Sequence, residues 1–147
     1  MIPNKIALAF MTLAAIGGAA FAQPKNGATV TATLSGVAEV PGPGDPDGSG
    51  TFTAIIVPGK KQICYEITVA GIETPTAAHI HKGSANEAGP AFVTLTTPPL
   101  GKSSSCVDVT SQQAAAILGK PADYYVNVHT APPFAAGAIR GQLARAS

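Results

Sequence analysis

The chain has 147 residues, 46% of them apolar and 12% charged, with nine Lys plus Arg against eight Asp plus Glu. That length supports one domain with a real core, and the near-neutral balance offers neither a basic patch for nucleic acid nor an acidic tail. Three histidines, two cysteines and no tryptophan leave few residues on which chemistry can rest.

Residues 1–22 read as a secretory signal peptide. Lys5 supplies a positive n-region, residues 6–16 are almost continuously apolar, and Ala20-Phe21-Ala22 fits a small-x-small cleavage site before Gln23. The apolar run is shorter than the roughly 20 residues that span a bilayer, and no later segment is long enough either. The mature chain is therefore expected to have no transmembrane segment and to be secreted or periplasmic. Cleavage removes Lys5 and no acid, leaving eight basic residues (nine minus one) against eight acidic ones, a formal charge of zero.

Residues 23–27 form a short flexible lead, and the folded domain is expected over residues 28–145. Residues 28–34 alternate threonine with apolar residues, the period of a half-buried strand, and Ser35-Gly36 is expected to bend the chain before residues 37–40. Residues 41–50 are punctuated by Pro and Gly and must be a loop. Asp45, Asp47, Ser49 and Gly50 match the first half of a calcium-loop pattern, but its twelfth position is Ile56 rather than Glu, which favours a plain turn. Residues 51–57 and 62–70 then pair as a hairpin, with Phe52, Ala54 and Ile56 on one face and Ile63, Tyr65, Ile67 and Val69 sharing a face.

Cys64 falls on the opposite face, with Glu66 and Thr68. It and Cys106 are the only cysteines, and in an oxidising compartment they are expected to pair. The bridge would close a loop of about 43 residues, which the chain-entropy model values at about 4 kcal/mol. Its position predicts a staple on an outer surface rather than in the deepest layer.

Residues 77–83, Ala-Ala-His-Ile-His-Lys-Gly, hold two of the three histidines. In an extended strand His79 and His81 project from the same face, roughly 6 to 7 Å apart at the backbone. A strand follows at residues 91–96 and another extended segment at 103–109. Thr110 and Gln113 have capping-box spacing, Ala114 to Leu118 continue as helix, and Gly119-Lys120-Pro121 stops it. Residues 124–129 form a strand closed by His129, and residues 138–143 form the last. These elements predict an all-β domain, an antiparallel Greek-key sandwich or barrel of immunoglobulin-like or superoxide-dismutase-like type, with one short helix.

His79, His81 and His129 are the candidate metal ligands. Imidazole suits copper and zinc, and three protein nitrogens leave a position open for water or a fourth ligand. The alternative is a structural set whose rings hydrogen-bond carbonyls and stabilise a strand end. Tyr125 and Asn127 share the face of His129 and are candidates to orient the ligands. Glu39 and Arg140, in the first and last strands, are candidates for an ion pair that clasps the domain or orients a histidine, with Gln142 on the face of Arg140. No nucleophile elbow, Cys-His pair or close carboxylate pair is present, so no catalytic residue is assigned.

Four segments in order, Glu39-Val40-Pro41, Ala78-His79-Ile80-His81-Lys82-Gly83, Tyr125-Val126-Asn127-Val128-His129-Thr130 and Arg140-Gly141-Gln142-Leu143, resemble the CHRD domain family over residues 29–143. The resemblance implies an extracellular or periplasmic all-β domain, here in a single copy. The His-x-His strand is locally similar to the copper-ligand strand of copper-zinc superoxide dismutases, although the further histidines and the aspartate of a dinuclear site are missing. The expected function is an exported binding or structural domain with a mononuclear copper or zinc site and a protein or surface partner. The alternative is a metal-dependent redox enzyme resembling copper-zinc superoxide dismutase.

Overall fold

A computed structural model describes residues 27–147; the leader and most of the short lead lie outside the described residues. Nine strands form one antiparallel sheet: β1 (Ala28–Ser35), β2 (Ser49–Val57), β3 (Gln62–Ala70), β4 (Ala77–Lys82), β5 (Ala91–Leu95), β6 (Lys102–Asp108), β7 (Tyr124–His129), β8 (Ile139–Gln142) and β9 (Ala144–Arg145). Their lateral order is β5-β4-β7-β8-β1-β2-β3-β6, with β9 on β1. Neighbours such as β4/β7 and β3/β6 are distant in sequence, so the chain crosses between the two halves in Greek-key fashion. Curling brings the free edges together. The Tyr65 hydroxyl accepts the Thr96 N–H at 2.5 Å, and Thr96 Oγ1 donates to Ser105 Oγ at 3.4 Å, which nearly closes the barrel between β5 and β6.

Alternation decides what lies inside. Val30 and Leu34 of β1, Phe52 and Ile56 of β2, Ile63 and Ile67 of β3, Ile80 of β4 and Val126 and Val128 of β7 are all 0% exposed and meet in one core. Each such side chain contributes about 1.5–3 kcal/mol by leaving water. The helix α1 (Ser111–Gly119) begins at the capping box as expected: Thr110 Oγ1 accepts the Gln113 N–H, and Gln113 Oε1 accepts the Thr110 N–H. It inserts Ala114 and Ile117 into the core.

The bend after β1 is a 3-10 turn over Gly36–Ala38. The following loop folds back on itself: the Asp45 carboxylate accepts the Asp47 N–H at 3.1 Å, the turn chemistry expected in place of a calcium loop. Cys64 and Cys106 stand directly opposite each other in the β3/β6 ladder and are bonded. Their side chains are on the outward face, as the sequence implied.

One strand departs from simple alternation. From Tyr124 to Val128 every residue of β7 is buried, on both faces. One face meets the apolar core; the other, carrying Tyr125, Asn127 and His129, is covered by loops and forms the candidate site.

Candidate metal centre

The site is built by register. In the β4/β7 ladder Ala77 faces His129, His79 faces Asn127 and His81 faces Tyr125; in the β7/β8 ladder Asn127 faces Arg140 and Tyr125 faces Gln142. Residues opposite each other in an antiparallel ladder project to the same side. His79, His81, Tyr125, Asn127, His129, Arg140 and Gln142 therefore share one face of β4-β7-β8. The structure brings together the three histidines singled out from the sequence.

The rings pack edge to face or tilted, with centroids 5.4 Å apart for His79 and His81, 5.3 Å for His79 and His129 and 6.0 Å for His81 and His129. One ligand-capable nitrogen from each lies within 4.8 Å of the other two. Nitrogens on one metal shell of about 2.0–2.1 Å radius lie no more than about 4 Å apart, a spacing these rings are close to.

Two loops fix the rings. His81 Nδ1 donates to the Gly89 carbonyl at 2.9 Å, and His129 Nδ1 donates to the Ala135 carbonyl at 3.1 Å. A carbonyl only accepts, so each Nδ1 carries a proton and, in the neutral ring, each Nε2 holds a lone pair. His81 Nε2, His129 Nε2 and His79 Nδ1 are all buried without a hydrogen-bond partner. Burial and the charges of His129 and His81 hold the His79 ring below the ordinary imidazole range. Burial likewise lowers His81, against the Gly89 hydrogen bond, which raises it. Both effects favour the neutral imidazole that ligates metal.

Tyr125 supports His81 directly. The two rings stack at 4.9 Å with planes 8° apart, and the Tyr125 hydroxyl accepts the Gly89 N–H at 3.0 Å, from the same residue whose carbonyl holds His81. Arg140, 1% exposed, places its guanidinium carbon 3.4 Å from the Tyr125 ring centroid. It also donates to the Ser84 carbonyl at 2.6 Å and to Gln142 Oε1 at 3.3 Å, so Gln142 joins its network. Gln142 in turn donates to the carbonyls of Gly83 and Ala122.

The expected ion pair between Glu39 and Arg140 does not form. Arg140 is drawn away by Tyr125 and Ser84, and Glu39 instead accepts Asn127 Nδ2 at 2.5 Å. Glu39 is 7% exposed, and burial pushes its carboxyl up to about 7, although the Arg140 charge and the Asn127 hydrogen bond pull the other way. Two glycines make room for it: a Cβ at Gly137 would lie 2.4 Å from Glu39 Oε2, and one at Gly44 would lie 2.5 Å from its Cγ. Asn127 thus orients Glu39 and makes no hydrogen bond to a histidine ring.

The carbonyls of Gly89 and Ala135, the actual partners of the ligand rings, were not singled out from the sequence. Backbone acceptors leave no side-chain signature, and only the loop positions beside each histidine strand hinted at them.

A family model described as the CHRD domain matches residues 30–143. The chain belongs to the CHRD domain family. No curated protein and no solved structure matches it. In this CHRD domain the family match spans all three histidines, Glu39 and Arg140, and no helix among the described residues is long and apolar enough to cross a membrane.

Proposed function

We propose that this CHRD domain is an exported binding or structural module that holds one copper or zinc ion on His79, His81 and His129. One observation carries the reading: each of the three rings holds a buried nitrogen with no partner, and one ligand-capable nitrogen of each lies within 4.8 Å of the other two. An unpaired buried acceptor costs about 1–3 kcal/mol, and one ion would satisfy all three. A purely structural trio would be expected to pair its inward nitrogens as it pairs Nδ1 of His81 and His129. Export is supported by the leader sequence and by the Cys64–Cys106 bridge, which suits an oxidising compartment.

The test is calorimetric titration of copper and zinc into the oxidised chain lacking residues 1–22, alongside His81→Ala. Stoichiometric binding by the wild type that weakens at least ~100-fold in the variant is the expected result. Absence of binding near neutral pH returns the histidines to a structural role and turns the search to a protein or surface partner.

The runner-up, a metal-dependent redox enzyme resembling copper-zinc superoxide dismutase, draws support from the ligand count. Only three protein ligands cluster among the described residues, which leaves a coordination position for a small reactant. Superoxide turnover by the copper-loaded protein, abolished in His81→Ala, would promote that reading.

A further inference from the structure

We infer that this site selects copper(I) over the divalent ions, a conclusion that rests on the metal-binding reading above. All three clustered donors are imidazoles, which ligate a metal in their neutral form, and no carboxylate or thiolate joins them. The two thiols and the buried Glu39 are committed elsewhere. Cys64 and Cys106 are bonded to each other on the outward face of β3 and β6, and Glu39 is held by Asn127 between Gly44 and Gly137.

A fixed positive charge lies one ring away from a ligand. Tyr125 lies on the central strand of the three, with β4 on one side and β8 on the other, so His81 and Arg140 approach its ring from opposite sides. One aromatic ring therefore separates a ligand from a buried guanidinium. An ion bound to three neutral donors keeps its whole charge in this half-buried setting. The cost of removing an ion from water scales with the square of its charge, about four times larger for a divalent than for a monovalent ion of similar size.

Hard ions such as magnesium and calcium require oxygen ligands and are excluded by the donor set. Among the metals that imidazole suits, copper has an accessible monovalent state. Copper(I) is also satisfied by three donors, whereas structural zinc is closed by four protein ligands and catalytic zinc adds a water. Two of the three donor rings are already turned with Nε2 inward by Gly89 and Ala135, so binding requires no tautomer change in them.

The experiment is an anaerobic competition of the oxidised domain against a chromophoric copper(I) chelator, with parallel titrations against buffered copper(II) and zinc(II). Copper(I) is expected to bind at least about tenfold more tightly than either zinc(II) or copper(II), reversing the order that nitrogen donors alone would give the divalent ions. His79→Asp replaces a neutral donor with a carboxylate and is expected to shift the copper(I)-to-zinc(II) ratio towards zinc by at least about tenfold; its fold is checked by circular dichroism. Wild-type zinc(II) or copper(II) affinity equal to that for copper(I) overturns the selectivity and leaves the metal-binding reading intact. Failure to bind any of the three ions overturns both. An unchanged ratio in folded, metal-binding His79→Asp overturns the electrostatic basis.

Discussion

On the outward face of β2, β3 and β6, threonine, serine and glutamate alternate with core residues and find partners at the surface. Thr51 and Thr68 share a hydrogen bond at 2.7 Å, Ser104 donates to Glu66 at 3.3 Å, and Lys102 pairs with Glu66 at 3.0 Å. On the corresponding face of β4, β7 and β8 the same alternation places histidine, tyrosine, asparagine and arginine, but loops from both ends of the sheet fold over them. All five buried side-chain polar atoms without a partner among the described residues belong to this second face. A groove of about 420 Å³ beside Thr53, Ile55 and the disulfide lies on the first face and contains none of them. Period-two patterning makes a polar face; a cover that removes water while leaving acceptors unpaired makes a candidate site.

The largest effect that separates the two faces is expected from the disulfide. Replacing Cys64 and Cys106 together by Ala releases a constraint across a sequence separation of 42 residues and should cost about 4 kcal/mol in urea unfolding. Because the bridge lies away from the histidines, metal affinity of the protein that remains folded should be unchanged. A parallel loss of affinity would mean that the two faces are coupled through the core.

Glu39→Gln probes the covered face through pH. The folded carboxyl is raised to about 7 from 4.5, so between those values the native state binds the proton that the unfolded state has released. Stability from this group is therefore full below about pH 4.5 and declines as pH rises to about 7, by about 3 kcal/mol. The lowered His79 and His81 act in the opposite direction: the unfolded state binds more protons just below pH 6.5, so their contribution rises with pH up to that value. Urea unfolding across pH 4.5–8 should show the two trends offsetting in the metal-free wild type and a plain rise with pH in Glu39→Gln. Identical profiles would show that Glu39 is not held protonated.

Much of this was legible in the residues. Strand β7 ran from Tyr124 to His129 and α1 began at the Thr110 capping box, both as expected, and the three histidines met because strands β4 and β7 are neighbours. That adjacency was not legible in the spacing, since period two places His79 and His81 on one face but says nothing of which strand faces them. The Glu39–Arg140 pair was misjudged for a related reason. Opposite charges on terminal strands suggest pairing, yet β8 puts Arg140 across from Asn127, within reach of Tyr125 and the Ser84 carbonyl, and Asn127 reaches Glu39 first. Such choices among several polar partners are fixed by loop backbone, which a side-chain pattern does not encode.

Tyr125→Phe makes the smallest and most selective cut. It keeps the ring that stacks on His81 and carries the Arg140 guanidinium, and it removes only the hydroxyl that holds the Gly89 N–H. Gly89 then loses the contact that positions its carbonyl against His81 Nδ1, so the ring is less firmly turned with Nε2 inward. Groups that orient a ligand in this way typically change metal affinity by about 10–100-fold, and the retained stack places this case near tenfold, or about 1.4 kcal/mol. The expected signature is weaker metal binding with little change in unfolding midpoint for the metal-free protein. Equal loss of both would make Tyr125 a core residue that happens to lie beside a histidine, and the covered face would then differ from the open one in burial alone.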